Sequence, residues 1–547
     1  MEITEHRKRK RDKQRSLTAG GVGFLAAADM GIYDKVGLDQ TLCEMSVGAI
    51  LPMPWDGAWT VIAASVATIA GTAAARARRN TDAYKIRENL HRRDWATLED
   101  RRHRIGLSAA RRRARGPRAN LSRWQRRTAP AAEVGIPVGK TVSGPRFSRG
   151  RQAVLPWEDA GLLIIGSQGR RKSTALKGMV AGVPGSAVVV STKDEFIRDC
   201  GGATLAKGPN YAFTPNGTIA LPDNVAPFRH NLIRGCWDST TAQRRAQAII
   251  EATGNSGVSN AEFWATKSRQ VVAGLLQAAD LGGRPLSDVV TWLNTGMSDA
   301  EAILAAHRDK VERATIEAVQ SMTRDGDRTA QSVGHTATAA FEFMQNTTVA
   351  ASLDAAPDDC VDLASFVRSR STLYMVTGDD LPLSPALAVL WSDLVDAAKR
   401  VAVEDAKPGG EQRLDPPLVL AVDECDVTMP GVDLSVPVAK HRGFPGVFTI
   451  AVTQNRDRLV QSLGKERAAA LCETFVHHLV LGVDSVEDRE YYEKRARRRE
   501  AEVVKNSTSA PDSVRHRMMG NPMRVGHTSS ESTDLQTVPL WSGDMWG

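Results

Sequence analysis

The length and composition describe a globular protein with more than one structural unit. A chain of 547 residues is too long for a single hydrophobic core and predicts about two to four units. Hydrophobic residues make up 42% and charged residues 24% of the chain, which excludes disorder over most of its length. The six cysteines include no C-x-x-C pair, which argues against a zinc site or a disulfide framework and favours a reducing compartment.

The net charge of +8 is distributed unevenly along the chain. The first fifteen residues contain seven basic and three acidic side chains, whereas residues 16–75 contain one basic and five acidic ones. Residues 76–151 contain twenty-two basic and six acidic side chains, and the remainder of the chain is net acidic. Two basic blocks therefore flank an acidic stretch, and an acidic body follows them.

Two apolar segments lie between the basic blocks. Residues 57–75 carry no charge, end against an arginine-rich segment, and are long enough to cross the hydrocarbon core of a bilayer. Residues 17–28 are shorter and rich in glycine. Because basic residues are enriched on the cytoplasmic side of membrane proteins, the pattern predicts a membrane anchor over residues 1–78, a hairpin with both ends in the cytoplasm. An alanine-rich helix of a soluble domain remains an alternative for residues 57–75.

The segment that follows, residues 79–132, is predicted to be a basic juxtamembrane linker with helical character. It contains the arginine-rich runs R-R-R-A-R at 111–115 and W-Q-R-R at 124–127. Such runs bind the anionic head groups of lipids, and the same charge would hold a nucleic-acid phosphate backbone. We favour the lipid interpretation, although the sequence does not separate the two anions.

A phosphate-binding loop is predicted at residues 161–174, G-L-L-I-I-G-S-Q-G-R-R-K-S-T. An apolar run, then glycines, then Lys-Ser-Thr at the start of a helix form the strand, loop and helix that cradle nucleotide phosphates. In such a loop the lysine reaches the β- and γ-phosphates and the hydroxyl binds Mg²⁺, roles that fall to Lys172 and Ser173. The predicted nucleotide-binding residues are Gly166, Ser167, Gln168, Gly169, Arg170, Arg171, Lys172, Ser173 and Thr174.

This loop departs from the pattern G-x-x-x-x-G-K-[ST] at one position. Arg171 stands where the last glycine is expected, and glycine suits that turn because it allows the backbone to approach phosphate without a Cβ. One interpretation is a tolerated departure, since Lys172 and Ser173 remain in register; the other is a disabled loop. Arg170 and Arg171 would also add positive charge near the nucleotide.

Acidic and amide residues follow two further apolar runs. Asp423 and Glu424 close the run P-P-L-V-L-A-V, and Gln454 closes V-F-T-I-A-V-T. We assign Asp423 to Mg²⁺ binding, Glu424 to polarising the attacking water and Gln454 to sensing the γ-phosphate or positioning that water. Arg442 lies in the loop between the two runs and in a ring of subunits would reach a neighbour's nucleotide; an ordinary surface arginine is the alternative.

The remaining apolar runs predict the fold class. Short runs at 187–190, 373–376, 418–422, 447–453 and 479–483 indicate the buried strands of a parallel sheet. Residues 240–345 are rich in alanine and predict an all-helical insertion between the two nucleotide motifs. We expect Phe263 and Trp264 to be core residues or to pack this insertion against the rest of the protein.

Several segments, taken in order, resemble the type IV secretion coupling proteins, the conjugative DNA-pumping ATPases of the TraG/TraD type. The resemblance covers the chain from about residue 135 to its end. The segments that carry it are G-I-P-V-G-K at 135–140, S-A-V-V-V-S-T-K-D-E-F at 186–196, E-F-W-A-T-K at 262–267, R-S-T-L-Y-M-V at 370–376, L-V-L-A-V-D-E-C at 418–425, H-R-G-F-P-G-V-F-T-I-A-V-T-Q-N at 441–455 and V-P-L-W-S-G-D at 538–544.

The resemblance implies a RecA-like P-loop NTPase, an α/β fold, in residues 133–239 and 346–547, with the helical insertion at 240–345. It also implies a homohexameric ATPase at the cell membrane, multi-pass, with its ATPase domain in the cytoplasm. ATP and Mg²⁺ are the implied cofactors. The implied partners are DNA, single-stranded with an attached relaxase, and the components of the type IV secretion channel.

Two alternatives to a conjugative pump remain open. A double-stranded DNA translocase of the septal or plasmid-spread type would move duplex DNA without a relaxase. A membrane docking receptor would bind its substrate without pumping it, if Arg171 disables the phosphate loop. Hydrolysis of ATP in the presence of DNA distinguishes the receptor from the two motors.

Overall fold

The computed structural model describes residues 105–140, 152–159, 161–215, 217, 219–253, 261–322, 328–378, 382–406, 412–441, 446–495, 498–508 and 529–539. All of them belong to the second of two compact units, Arg93–Gly547. The apolar segments 17–28 and 57–75 lie outside the described residues, so the predicted membrane anchor remains a prediction. Among the helices that are described, none has the length and apolar character needed to cross a membrane.

An eight-stranded sheet forms the centre of this unit. Its strands run in the order β10-β3-β9-β8-β4-β7-β5-β6, and every neighbouring pair is parallel. Their bounds are β3 (Gly161–Ile165), β4 (Ala187–Ser191), β5 (Asn210–Phe213), β6 (Val225–Pro227), β7 (Thr372–Val376), β8 (Leu418–Val422), β9 (Val447–Thr453) and β10 (His477–Val480). The predicted parallel sheet is therefore confirmed.

Both faces of the sheet are covered, which explains why its central strands are mostly apolar. Leu163 and Ile165 of β3 belong to one hydrophobic cluster, and Leu162 and Ile164 belong to another. Successive side chains of a strand point to opposite faces, so these clusters lie on the two sides of the sheet. A sheet buried on both sides needs continuous apolar runs rather than alternation.

Helices α4 (Lys172–Gly182) and α5 (Glu195–Leu205) contribute to the cluster that contains Leu162 and Ile164. Helix α14 (Ser384–Glu404) contributes to the cluster on the other face. The described elements between β6 and β7 are all helical, and they extend past residue 345, where the predicted insertion ends. They are α6 (Ser239–Ala252), α7 (Ala261–Leu281), α8 (Leu286–Thr295), α9 (Ser298–Ala306), α10 (Arg313–Gln320), α11 (Arg328–Ala339), α12 (Thr347–Leu353) and α13 (Leu363–Arg368), with short 3-10 turns at Glu342–Gln345 and Pro357–Asp359.

The segments before and after the sheet form smaller elements. The chain enters through α1 (Leu107–Arg113), α2 (Arg123–Thr128), α3 (Ala131–Val134), the antiparallel pair β1 (Gly135–Lys140) and β2 (Gln152–Pro156), and the 3-10 turn Trp157–Asp159. After β8 come α15 (Cys425–Thr428), α16 (Ser435–His441), α17 (Arg456–Leu463), α18 (Lys465–Thr474), α19 (Val486–Arg495) and the antiparallel pair β11 (Arg498–Thr508) and β12 (Ser529–Pro539).

The described part of the predicted basic linker packs against β2 and contacts the segment before β8. The buried guanidinium of Arg118 forms ion pairs with Asp415, just before β8, and with Glu133. The backbone N–H of Asn120 donates to Asp415 Oδ2 at 2.7 Å, and Arg113 pairs with Asp159 at 2.5 Å. Two arginines of the basic linker therefore pair with carboxylates of the same chain.

Two expectations from the sequence differ from the structure. The last strand was expected at 479–483, but β10 covers His477–Val480, because the chain then turns so that the carbonyl of Gly482 accepts the N–H of Ser167 at 3.0 Å. The expectation that Phe263 is a core residue is wrong, since its relative exposure is 51%.

Candidate functional site

The predicted nucleotide motifs meet at the carboxyl edge of the sheet. The phosphate loop follows β3, Gln454 follows β9, and Asp423 follows β8. These strands are adjacent and parallel in the order β3-β9-β8, so their carboxyl ends lie side by side. Ligands of open α/β sheets bind at this edge. The parallel topology therefore brings together residues that are far apart in the sequence.

The phosphate loop turns sharply into helix α4. Gly169 has a φ of 79°, in the left-handed region that favours glycine, and α4 begins at Lys172. For this described helix, no side chain caps the amino terminus at Arg171. The first-turn N–H groups of a helix lack partners within the helix and attract anions through their partial positive charge. The turn has the geometry of an anion site at a helix amino terminus.

Arg171 adopts the backbone conformation that its position in the loop requires. Its φ of 58° lies in the left-handed region, where a residue with a Cβ is strained by roughly 1–2 kcal/mol. The structure therefore keeps the turn that the missing glycine would have favoured, and the arginine bears the strain. Lys172 and Ser173 remain in register at the start of α4.

The side chain of Lys172 is buried near the carboxylates of Asp423 and Glu424. Its relative exposure is 7%, and its Nζ donates a hydrogen bond to the carbonyl of Ser167 at 3.0 Å. Burial lowers the pKa of Lys172, while the negative charges of Glu424 and Asp423 oppose that effect. The two motifs are thus within electrostatic reach of each other.

Asp423 fits the role of a Mg²⁺ ligand. It is buried, the hydroxyl of Ser173 donates a hydrogen bond to its carboxylate, and Oδ1 has no hydrogen-bond partner among the described residues. Burial raises the pKa of Asp423, the charge of Glu424 raises it further, and the Ser173 hydrogen bond opposes both. A buried carboxylate oxygen without a partner beside a hydroxyl matches the hard oxygen donors that Mg²⁺ prefers.

Glu424 and Gln454 face each other across the strand ends. The Nε2 of Gln454 donates to Glu424 Oε1 at 3.4 Å. Glu424 has a φ of 50° and precedes α15, so its side chain leaves the strand end at a left-handed turn. The predicted water-polarising carboxylate and the predicted amide are therefore neighbours.

Three further residues near the site were missed by sequence reasoning. Asp484 follows β10 and pairs with Arg170 at 3.5 Å, and the hydrogen bond from Ser167 lowers the pKa of Asp484. Asp426 and Arg458 form a second pair at 3.6 Å beside Glu424 and Gln454. Only the proximity of Asp426 to the Asp-Glu pair was visible as a signal in the sequence.

One predicted site residue lies outside the described part of the chain, and a cysteine next to the site belongs to the core. Arg442 lies in the stretch 442–445, outside the described residues, so its proposed reach to a neighbouring subunit stays a prediction. Cys425, which follows Glu424, is buried, and burial raises the pKa of its thiol; it acts as part of the core.

Most of the sequence matches the model of one protein family. The model of the type IV secretion-system coupling protein DNA-binding domain matches residues 154–539. The chain belongs to this family. The match begins in β2, includes the phosphate loop, the helical elements between β6 and β7, and Asp423, and ends at the last residue of β12. No curated protein matches the sequence of this coupling protein significantly.

Solved structures of coupling proteins resemble the fold. The unbound monoclinic form of the bacterial conjugative coupling protein TrwBdeltaN70 is 15% identical with a TM-score of 0.51, over 77% of this chain and 84% of that chain. The plasmid coupling protein TrwB in complex with ADP and Mg²⁺ is 16% identical with a TM-score of 0.46, over 64% of this chain and 78% of that one. At such identity, the first likeness concerns the fold alone.

Proposed function

We propose that this coupling protein is a P-loop ATPase that drives DNA, or a relaxase–DNA complex, into a type IV secretion channel. The observation that supports this most is the convergence of Lys172, Asp423 and Glu424 at one edge of the sheet, with Asp423 and Glu424 close enough to oppose the burial effect on the Lys172 pKa. Membership of a family described by its DNA-binding domain supports DNA as the cargo.

The proposed chemistry assigns each group a task. The loop Gly166–Thr174 and Lys172 hold the β- and γ-phosphates, and Ser173 and Asp423 hold Mg²⁺. Mg²⁺ supplies positive charge against the phosphate oxygens. Glu424 accepts a proton from the attacking water, positioned with Gln454, as the water oxygen bonds to the γ-phosphorus and the bond to the bridging oxygen of ADP breaks.

The assembly around this site is also a proposal. We infer a homohexamer at the cell membrane, anchored through residues 1–78, with the ATPase body in the cytoplasm and Arg442 reaching a neighbouring nucleotide. The alternation of basic and apolar segments supports the orientation. The division into a nucleotide-binding domain at 133–239 and 346–547 and an insertion at 240–345 is consistent with the helical elements described between β6 and β7.

The decisive experiment is DNA-stimulated ATP hydrolysis by the full chain and by Lys172→Ala. Lys172→Ala should reduce turnover to background, because the γ-phosphate loses its buried cation. Lys177→Ala is the matched control: this lysine lies on the same helix but pairs with Glu195 and Asp199, each at 2.7 Å, away from the loop.

The outcomes separate the candidate functions. Stimulation by single-stranded DNA supports a conjugative pump, whereas stimulation by duplex DNA alone supports a duplex translocase. An unmodified chain that binds DNA without any hydrolysis would refute the ATPase and favour a docking receptor with a disabled loop. Turnover by Lys172→Ala equal to that of the control would refute the assignment of the site.

A further inference from the structure

A buried carboxylate beside the site has no part in the chemistry described above. Asp426 lies two positions after Glu424 in α15, and its side chain is only 4% exposed. The hydroxyl of Thr453 donates to its Oδ1 at 2.8 Å, and Arg458 Nη1 lies 3.6 Å from its Oδ2. A buried carboxylate is costly unless it is paired and hydrogen-bonded, and these two neighbours satisfy it.

Arg458 is held at the same edge of the sheet as the phosphate loop. It lies in the first turn of α17, directly after β9, and its backbone N–H donates to the Oδ1 of the helix cap Asn455 at 2.9 Å. The preceding residues of β9 and the loop are Thr453 and Gln454, which contact Asp426 and Glu424 respectively. Arg458 is therefore anchored at both its backbone and its side chain.

The charge of Arg458 acts on Lys172 of the phosphate loop. Burial lowers the pKa of Lys172, and the nearby acidic residues of the segment 423–426 raise it. The positive charge of Arg458 makes a smaller contribution that lowers it. Its side chain is 42% exposed, so one part of it faces Asp426 and another faces solvent. A guanidinium has five N–H donors, and the contact through Nη1 leaves others able to bind a phosphate oxygen.

We propose that Arg458 contacts the γ-phosphate of ATP within its own subunit, and that Asp426 is a positioning residue for its guanidinium. The inference rests on the proposed ATPase function and deepens it. A bidentate, always-charged arginine suits the charge that spreads over the γ-phosphate oxygens during transfer. Asp426 limits the rotation of the Arg458 side chain, so less conformational entropy is lost when the phosphate binds.

The test is carried out on the full chain with Arg458→Ala, Arg458→Gln and Asp426→Asn. We expect kcat for ATP to fall about 100-fold in both Arg458 variants and about 10-fold in Asp426→Asn, as for loss or misplacement of one transition-state donor. Affinity for a non-hydrolysable ATP analogue should fall while affinity for ADP stays within twofold, because ADP lacks the γ-phosphate. Arg467→Ala, at an exposed arginine of the neighbouring α18, is the control and should change neither quantity.

Specific results would overturn the inference without touching the proposed function. If the unmodified chain hydrolyses ATP, then unchanged kcat and unchanged analogue affinity in both Arg458 variants would overturn the inference. Equal losses of affinity for the analogue and for ADP would also overturn it. Using Arg458→Gln beside Arg458→Ala guards against a folding defect in either one. Absence of hydrolysis by the unmodified chain, in contrast, would overturn the proposed function, and unchanged analogue affinity in the Arg458 variants would then overturn this inference too.

Mixing two inactive variants tests whether the arginine acts within its own subunit. In a mixture of Lys172→Ala and Arg458→Ala chains, an arginine acting on a neighbour would restore activity at sites that combine the intact Lys172 of one chain with the intact Arg458 of the other. We expect no restoration. Recovery of activity on mixing would overturn the assignment to the same subunit.

Discussion

At the scale of single residues, strained backbone occurs in both halves of the proposed nucleotide site. Arg171 and Glu424 have φ values of 58° and 50°, and each lies where a strand-end loop turns into a helix. Left-handed conformations of non-glycine residues persist where surrounding structure enforces them, often at functional sites. At Glu424 the strained turn carries the carboxylate that we propose as the proton acceptor, whereas at Arg171 the strained turn gives the loop its shape.

The strain at Arg171 predicts an unusual order of stability for two substitutions. Both Arg171→Gly and Arg171→Ala remove the side chain, but only glycine accepts a φ of 58° without a steric cost. We expect Arg171→Gly to be more stable than Arg171→Ala by about 0.5–1 kcal/mol, the glycine advantage being partly offset by the entropy of the unfolded chain. Thermal unfolding of both variants measures the difference; an alanine variant as stable as the glycine variant would contradict it.

At the scale of secondary-structure elements, close backbone packing sets the position of β8. The segment before β8 contains Pro417, and a Cβ on Gly185, before β4, would lie 2.0 Å from the Pro417 carbonyl oxygen. The absence of a side chain at Gly185 is therefore needed for β4 and β8 to begin side by side. Because Asp423 directly follows β8, the register of this pair also sets the position of the carboxylate that we propose as a Mg²⁺ ligand.

Gly185→Ala should destabilise the sheet markedly. The clash is with backbone atoms that cannot rotate away, so we expect a loss of about 2–3 kcal/mol. Gly178→Ala in α4 is the matched control, since a Cβ there meets nothing within 4 Å and alanine favours a helix by up to about 1 kcal/mol. Thermal unfolding should move in opposite directions for the two variants, and equal stability would show that β4 and β8 tolerate a wider separation.

At the scale of the whole molecule, a buried ionic network joins α6, which follows β6, to α14, which packs on the sheet. Asp393 of α14 pairs with Arg244 and Arg245 of α6 at 2.7 and 3.0 Å and with His230 at 3.1 Å. Burial alone raises the pKa of Asp393, but the His230 hydrogen bond and the charges of Arg245, His230 and Arg244 outweigh it and hold the pKa below its usual range. The network fixes α6 against α14.

Asp393→Asn should destabilise the chain, and the effect should depend on pH. Removing one partner leaves buried arginine charges without compensation, which costs about 3 kcal/mol. A carboxylate with a lowered folded pKa stabilises the protein above the unfolded pKa and loses that contribution as the pH falls below about 4. The difference in the free energy of unfolding between the wild type and Asp393→Asn should therefore shrink as the pH falls from 7 toward 3.

Asp396→Asn provides the control for this network. Asp396 lies on the same helix and pairs with Arg244 and Arg400 at 4.0 and 3.6 Å, but its side chain is 42% exposed. Exposed ion pairs contribute little, so we expect a change within about 0.5 kcal/mol at either pH. Denaturant unfolding at pH 7 and pH 3 compares the two variants; a constant difference for Asp393→Asn would contradict the proposed role of its charge.

Residues with a local pattern were predictable from the sequence. Three parts of the site follow apolar runs: the loop that leads to Lys172, Asp423 after β8 and Gln454 after β9. The ends of buried strands can be predicted because such strands need continuous apolar runs. Asp426, Arg458 and Asp484 were not predictable in the same way. Their partners come from other elements, and no sequence spacing specifies which side chains two separate loops bring together.

Predictions based on composition alone were less reliable. The basic linker at 79–132 is predicted to bind lipid or nucleic acid, yet Arg118 within it is buried against Asp415 and Glu133. Phe263 was expected in the core because it is aromatic, yet its side chain is half exposed. Charge and hydrophobicity are averages over a segment, whereas the burial of one side chain depends on which face of its element meets a neighbour.

The runs of apolar residues and the glycines followed by Lys172 and Ser173 are sufficient to predict a parallel α/β sheet, a phosphate loop and a helical segment between β6 and β7, because these features depend on residues close together in the chain. Only the folded arrangement decides that β9 lies between β3 and β8, that Arg171 takes up a strained turn, and that Arg458 lies beside Asp426. Strand order and side-chain contacts arise from packing between distant segments, and local sequence carries no record of that packing.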